Sequence, residues 1–357
     1  MPRLARSPDR DARAAVADGV VAGRPRTASA LSRAAGVLGR QRELSLVAIM
    51  VVLGAFVALQ APQFLSPSNL TQVTVLASII AIAAVGQALV VITRNVDLSV
   101  ESTIGLVAFS VADILKAQAL PPPEAMAFGI GLGLVLGMIN GAIVTVLRVP
   151  AIVATLGTLS IYRGVDFLLA GGHQVTLGDL PPGYTDAARA TIAGVPLFVV
   201  IAVCIVVLVG IGLRQTRFGR QVYAVGSNPD AATTLGIRTR VIVFTVFSLC
   251  GLLAGVAGVL WGIEFGTINA TAANGAVLQV VAAVVVGGVN IFGGSGTVLG
   301  AALGALFLAL ISNALILLGL SQFWLQAIYG AVILGAVSAD AIIVRRLHGA
   351  LAKRRAR

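Results

Sequence analysis

Long apolar runs separated by short polar stretches dominate the chain from residue 44 to residue 344. Many of these runs contain about twenty residues, the length that crosses a hydrocarbon core of roughly 30 Å. Polar and apolar residues do not alternate within them, as they would along the strands of a membrane β-barrel. The pattern therefore predicts an all-α polytopic membrane protein.

About ten transmembrane helices follow from this pattern. The predicted spans are 44–61, 70–93, 100–118, 124–148, 150–171, 193–214, 240–263, 276–290, 297–319 and 324–344. The first and the eighth are short, so we expect tilted or broken helices there.

Basic residues set the predicted orientation. Nine arginines precede residue 43, five more lie between residues 214 and 240, and six Lys or Arg residues follow residue 344. The positive-inside rule places these clusters, and hence both termini, in the cytoplasm. We therefore divide the chain into a basic disordered tail (1–43), a transmembrane domain (44–345) with a cytoplasmic segment at 215–239, and a second basic tail (346–357).

Composition excludes several other classes of protein. Only 11% of residues are charged, against about 25% in soluble domains. The net charge of +11 needs no nucleic-acid partner, because basic tails are attracted to an anionic lipid leaflet. His173 and His348, the only histidines, are predicted on opposite sides of the membrane. We therefore expect no catalytic residue, no metal site and no bound cofactor.

The polar segment "RQTRFGRQVYAVGSNPDAATTLGIRTR" contains the start and stop signals of a short helix. Asn228 suits the N-cap, and Pro229 suits the first helical position. Asp230 stands where the helix dipole favours negative charge, and Gly236 suits a left-handed end. The sequence predicts a helix of about two turns.

This predicted helix should present Ala231, Ala232 and Leu235 on one face. So short a helix is unstable alone in water, so it must dock on another surface. Two interpretations remain: it packs on its own bundle, or it fits a groove on a cytoplasmic partner.

Three stretches resemble the permease subunits of bacterial ABC sugar importers of the ribose type. They are "TRFGRQVYAVGSNPDAATTLGI", "VPAIVATLGTLSIYRG" and "VVAAVVVGGVNIFGGSGTVLGAALGALFLALISNALILLG". The resemblance covers about residues 45 to 345, and "LQVVAAVV" is closer to the rhamnose- and autoinducer-type subgroup. The chain departs from the family where Arg94-Asn95 replaces two glycines, Glu101 replaces a glycine, and Val277 and Gln279 replace two acids.

The resemblance implies a transport subunit in a bacterial inner membrane rather than an enzyme. A periplasmic binding protein would deliver a monosaccharide to a pathway formed with a second permease chain, identical or homologous. Two cytoplasmic ATPase subunits would bind ATP and magnesium, since this chain has no phosphate-binding loop motif. The residues implied in coupling to them are Gly226, Ser227, Asn228, Pro229, Asp230, Ala231, Ala232, Leu235 and Gly236.

Ligand sites in such bundles form where helices break, because free backbone groups need protein or water beside them. Two predicted breaks, 95–102 and 287–296, fit this rule. Asp97 either starts a helix at Ser99 or lines the pathway with it. The candidate pathway residues are Asp97, Ser99, Asn140, Thr155, Thr158, Asn290 and Asn313.

Charged residues near the apolar runs are costly and call for partners. We predict a local ion pair between Arg94 and Glu101. Arg163 and Asp166 lie three residues apart, so they share a helix face and either pair or face the pathway.

Three alternative functions remain open from the sequence. An ion-coupled secondary transporter would use Asp113 and Asp166 as ion carriers. An ABC permease for branched-chain amino acids would have a related architecture. A structural membrane scaffold would have no use for a capped, exposed helix.

Overall fold

The protein is described here from a computed structural model, which covers residues 28–335 and residue 338. Its helices are α1 (Ala28–Gln60), α2 (Pro67–Ile92), α3 (Val100–Lys116), α4 (Pro122–Thr145), α5 (Ala151–Ala170), α6 (Pro182–Thr185), α7 (Leu197–Gln215), α8 (Arg217–Ser227), α9 (Pro229–Thr234), α10 (Thr239–Phe265), α11 (Ala276–Val286), α12 (Val298–Leu317) and α13 (Trp324–Gly335). Short 3-10 helices cover Pro62–Leu65, Leu177–Asp179 and Asp186–Ala188, and strands β1 (Thr191–Ile192) and β2 (Val195–Pro196) form an antiparallel hairpin.

The prediction of an all-α polytopic membrane protein is confirmed, and each of the ten predicted spans contains one helix. Within the described residues, seven helices are long and apolar enough to cross a membrane: α1 from Glu43 onward, α2, α4, α5, α7, α10 and α12. Helices α3, α11 and α13 are shorter. Helix α11 ends at Val286, before the predicted 290, because Gly287 and Gly288 follow.

Helix α1 begins at Ala28, so the segment predicted as a disordered tail contains helix from that residue onward. Alanine, leucine and arginine are frequent there and have high helix propensity. The rest of the N-terminal tail and the C-terminal tail lie outside the described residues.

Helix α2 is the centre of the bundle. In an apolar stretch of 18 residues within α2, 94% of the residues are buried. In the corresponding stretches of α1 and α7, only 17% of the residues are buried. Helix α2 packs against α7, α10, α11 and α12, while α1 and α7 present apolar side chains outward. This is the arrangement expected when lipid surrounds the outer helices.

Helices α4 and α10 approach each other through facing glycines. A Cβ atom at Gly133 would lie 2.5 Å from the carbonyl oxygen of Gly251, and one at Gly137 would lie 2.8 Å from the Cα of Gly251. Only glycine permits this approach. The regular glycine spacing of α4 therefore serves packing within one bundle.

The predicted short helix is confirmed as α9. The side-chain oxygen of Asn228 accepts a hydrogen bond from the amide of Ala231 at 3.0 Å, and Pro229 is the first helical residue. Gly236 adopts a left-handed φ of 81°. Helix α8 was not predicted from the sequence; its N-cap Thr216 accepts a hydrogen bond from the amide of Gly219 at 3.1 Å. The segment 215–239 is therefore a pair of consecutive helices.

Candidate functional site: a coupling junction and an amide-lined cavity

The end of α8 contacts both helix breaks, and we call this contact region the coupling junction. The guanidinium of Arg94 donates to the carbonyl oxygens of Gly226 and Ser227, the latter at 2.6 Å. The amide of Gly294, in the second break, donates to the carbonyl oxygen of Ile92 at 2.9 Å. These bonds join the segment before α9 to the breaks that follow α2 and α11.

Close backbone packing reinforces the coupling junction. A Cβ atom at Gly226 would overlap the carbonyl oxygen of Ile92 and lie 2.7 Å from the amide of Gly294. The hydroxyl of Tyr223 donates to the carbonyl oxygen of Gly296 at 2.8 Å. Because no side chain separates these backbones, a displacement of α8 must displace both breaks.

Helix α9 buries one of its six residues and exposes four. Ala232 is buried at 2% exposure, whereas Leu235 is 80% exposed, and Asp230 and Ala231 are also exposed. Of the three residues predicted on one face, Ala231 and Leu235 are one turn apart and both exposed, because the amide of Leu235 still donates to the carbonyl oxygen of Ala231, whereas Ala232 alone is buried. The exposed residues form a small surface of polar and apolar side chains at the same end of the bundle as the coupling junction.

A buried polar cluster lies at the first break. One carboxylate oxygen of Asp97 accepts from the amide of Ser99 at 2.9 Å and from its hydroxyl at 2.7 Å. The amide of Asn140 donates to the Ser99 hydroxyl at 2.7 Å, and the hydroxyl of Tyr162 donates to Asn140 at 3.4 Å. The Gln87 amide, oriented to satisfy both of its groups, pairs with the backbone N–H and C=O of Asp97 at 3.2 Å.

This cluster fixes the start of α3. The Asp97 carboxylate bonds the amide of Ser99 in the turn before Val100, which favours the helix-starting interpretation, although α3 itself has no side-chain N-cap hydrogen bond. Thr155 and Thr158 are buried nearby, and their hydroxyls donate to backbone oxygens of their own helix. All the side-chain oxygens involved are therefore used internally.

Arg163 and Glu101 form a second buried arrangement, which we call the clasp. The prediction that Arg94 pairs with Glu101 is wrong: Glu101 lies 3.8 Å from Arg163, and Arg94 serves the coupling junction instead. The predicted pair between Arg163 and Asp166 is confirmed at 3.7 Å. Tertiary packing, rather than closeness in sequence, selects the partner of Glu101.

The clasp holds the segment that leads into α11. Arg163 donates to the carbonyl oxygens of Ala270 and Ala272 at 3.0 and 2.9 Å. Glu101 accepts from the amides of Gly275 and Val277 at 2.9 and 3.3 Å. A carboxylate at a helix N-terminus offsets the positive end of the helix dipole. The N-terminal end of α11 is thus both anchored and electrically compensated.

A cavity of about 510 Å³ lies at the other end of the bundle. Along α2 it extends from Asn69 to Ile80, about 16 Å at 1.5 Å per residue. The whole of α2 is about 39 Å long, and its far end contacts the coupling junction. The cavity and the junction therefore occupy opposite ends of the central helix.

Amide and aromatic side chains line this cavity. Its polar lining residues are Asn69, Gln72, Asn274, Gln279, Ser312, Asn313, Gln322 and Gln326, and its aromatic ones are Trp261, Phe265 and Tyr329. Among the described lining residues there is no Asp, Glu, Lys, Arg or His. Gln72, Gln279 and Gln326 make no side-chain hydrogen bond to the described part of the chain. Such a lining suits a neutral ligand with several hydroxyl groups.

Comparison with known proteins identifies the family. The family model described as "Branched-chain amino acid transport system / permease component" matches residues 69–337. The chain belongs to this permease family. The permease is 38% identical over 297 residues to the Autoinducer 2 import system permease protein LsrC of Salmonella typhi, covering 83% of this chain and 84% of that protein.

Other relatives give the same result. The permease is 40% identical to LsrC of Enterobacter sp. (strain 638) over 307 residues, covering 84% of this chain and 87% of the relative. It is 36% identical to LsrC of Escherichia coli (strain K12 / DH10B), covering 84% and 86%. No solved structure matches the chain. The protein is a multi-pass transport subunit of the bacterial inner membrane rather than an enzyme, and its family implies ATPase and solute-binding partners in general.

The predicted site residues of the permease fall into three places. The residues predicted to couple to an ATPase, from Gly226 to Gly236, lie together at one end. Asp97, Ser99, Asn140, Thr155 and Thr158 surround the first break. The coupling role and the pathway role both stay predictions.

Asn290 and Asn313 lie far apart in the permease. The Asn290 side chain accepts from the amide of Phe292 at 2.8 Å, which shapes the second break beside the coupling junction. Asn313 lines the cavity and exchanges two amide hydrogen bonds with Asn69, at 2.7 and 3.0 Å. Most residues of the cavity were therefore not among the predicted site residues, although Gln72 and Gln279 stand out as amides within apolar runs.

Proposed function

We propose that this permease forms one half of the pathway of an ABC importer for a monosaccharide or a similar neutral, hydroxylated solute. Both termini and the surface of α9 face the cytoplasm, and the cavity opens toward the periplasm. A second permease chain, identical or homologous, completes the pathway. Two ATPase subunits that hold ATP and magnesium drive it, and a periplasmic binding protein delivers the solute.

One observation carries the proposal: an exposed, capped helix is bonded through α8 to both helix breaks. Asp230, Ala231 and Leu235 are exposed, while Gly226 contacts Ile92 and Gly294 directly. A partner that grips α9 can therefore move the breaks at the inner end of α2. A helix of this kind has no evident role in a transporter that works without a cytoplasmic motor.

The cavity lining supports a sugar-like solute over an amino acid. A zwitterionic amino acid needs charged or strongly polar partners for its ammonium and carboxylate groups when it is buried. The described lining offers neutral amides and aromatic rings, which suit hydroxyl groups and the apolar face of a sugar ring. The names of the relatives, which import autoinducer 2, agree with this class.

The coupling role is tested with Asp230→Lys and Ala231→Glu in cells that contain the complete importer. We expect solute-stimulated ATP hydrolysis in isolated membranes, and uptake, to fall to background while the amount of permease in the membrane is unchanged. Asp186→Lys is the matched control, because Asp186 is an equally exposed acid outside this surface. Normal coupled hydrolysis in both α9 variants would refute the proposal.

The solute class is tested by competition in the same cells. The labelled solutes are autoinducer 2, ribose and rhamnose. We expect uptake of the transported one to be inhibited by an excess of the same compound without label and to be unaffected by L-leucine. Uptake of labelled L-leucine that depends on this permease would instead assign it to amino-acid transport.

A further inference from the structure

A second cavity, of about 330 Å³, lies beside the coupling junction and is lined by three arginines, Arg94, Arg148 and Arg240. Thr93 and Asn95 add a hydroxyl and an amide to its wall. Within the described residues none of these arginines has a carboxylate within 4.0 Å. Arg94 is bonded to the carbonyl oxygens of Gly226 and Ser227, whereas the side chains of Arg148 and Arg240 make no hydrogen bond to the described residues, so the cavity concentrates positive charge that no carboxylate pairs.

The backbone conformation at two of these arginines does not favour arginine, so helix formation alone does not account for arginine at these positions. Arg94 and Arg148 both adopt left-handed conformations, with φ of 67° and 60°. Glycine or asparagine is the usual residue at such a helix end, because a larger side chain is strained there. The third arginine, Arg240, stands in the first turn of α10, where the helix dipole disfavours positive charge.

The surroundings of the cavity fit a lipid better than a water-borne anion. Val146 and Leu147, which precede Arg148, are exposed, and so is Val241, which follows Arg240. Val144 and Val243 line the cavity itself. The arginines thus stand next to apolar side chains, at the boundary where a phosphate group and an acyl chain are both accommodated.

We propose that this cavity binds the phosphate headgroup of an anionic phospholipid. Arg148 and Arg240 contact the phosphate oxygens, and the acyl chain lies along Val146, Leu147 and Val241. Pro229, the first residue of α9, also lines the cavity, so the bound lipid contacts the helix proposed to engage the ATPase. The binding site itself does not depend on that role.

The full-length permease, purified in neutral detergent, tests the proposal without any partner protein. We expect added phosphatidylglycerol to raise its melting temperature, and phosphatidylcholine to have little effect. In Arg148→Gln/Arg240→Gln the apparent affinity for phosphatidylglycerol should fall about fivefold per arginine, the equivalent of about 1 kcal/mol for each basic residue near an anionic surface. Arg189→Gln, at an exposed arginine in the loop between α6 and β1, should respond as wild type.

Three results would overturn the proposal. One is an unchanged response to phosphatidylglycerol in the double variant, and another is an equal loss in Arg189→Gln. The third is displacement of the lipid by millimolar inorganic phosphate, which would assign the cavity to a free anion. Should the double variant fail to fold, Arg148→Gly decides, because glycine adopts the observed φ without strain and should weaken lipid binding by the single-arginine factor.

Discussion

The two ends of the central helix differ in how they use polar groups. At the coupling junction, backbone packs on backbone, and the guanidinium of Arg94 is bonded to carbonyl oxygens. In the amide-lined cavity, Gln72, Gln279 and Gln326 have no partner in the described part of the chain. One end has close backbone contacts that leave no room for a side chain, and the other has side-chain amides whose hydrogen-bonding groups are unpaired in the described part of the chain.

The clasp explains how the cavity remains neutral although charges lie near it. Glu101 compensates the N-terminal end of α11, and Arg163 compensates Glu101. These charged groups face one another rather than the cavity lining, although both carboxylate oxygens of Asp166 are buried without a hydrogen-bond partner in the described part of the chain. The two ends therefore differ in the partners of their charged groups: Glu101 faces Arg163 near the cavity, and Arg94 bonds carbonyl oxygens at the coupling junction.

The largest expected effect is from Arg163→Met, which removes the compensation on the cavity side. It leaves Glu101 and Asp166 without a cation and the carbonyl oxygens of Ala270 and Ala272 without a donor. Breaking a buried ion pair costs roughly 3–5 kcal/mol, so the melting temperature should fall sharply. Glu101→Gln keeps an acceptor for Gly275 and should cost less; equal or greater loss in that variant would contradict the clasp.

Gly226→Ala should have the next largest effect, this time at the coupling junction. The new methyl group overlaps the Ile92 carbonyl oxygen, and overpacking of this kind costs roughly 1–3 kcal/mol. We expect uptake to be lost, as measured with labelled solute at matched membrane levels. Gly212→Ala is the control, because nothing lies within 4 Å of the added methyl group. Similar uptake in both variants would show that transport does not depend on the close backbone contact at Gly226.

A smaller effect is expected for Gln279→Leu in the cavity. It removes an amide that has no hydrogen-bond partner among the described residues, so stability should be unchanged. A hydrogen bond to a neutral solute contributes about 0.5–1.5 kcal/mol, which predicts a KM for uptake raised roughly twofold to thirteenfold with an unchanged maximal rate. A lower maximal rate at unchanged KM would instead connect this residue with coupling.

The smallest effect concerns Asp179, in the loop that follows α5. Hydrogen bonds from the backbone amide and hydroxyl of Thr176, with a contribution from Lys116, hold the pKa of its carboxyl below the usual 3.8. Its contribution to stability is therefore present above pH 3.8 and is lost as pH falls through the lowered pKa. The melting temperature of Asp179→Asn should lie slightly below that of wild type at pH 6, and the difference should shrink as pH falls below 3.8.

The fold and the short capped helix could be predicted because their signals are local. Apolar length defines the spans, and Asn228, Pro229 and Gly236 mark α9 within nine residues. The N-cap of α8 was equally local, at Thr216, but its polar sequence obscured it.

The site was harder to predict because its contacts join distant residues. Glu101 pairs with Arg163 and Arg94 with Gly226, neither of which any spacing rule indicates. The cavity assembles amides from four helices and from the segment before α11.

The glycine contact between α4 and α10 limits how this permease can change shape. With backbone set against backbone at Gly133, Gly137 and Gly251, neither helix can roll or slide without a steric clash. We therefore expect α4 and α10 to move together as one rigid unit during the transport cycle. Opening and closing of the passage must then use the less closely packed contacts around this helix pair. A crosslink between α4 and α10 should therefore leave transport intact.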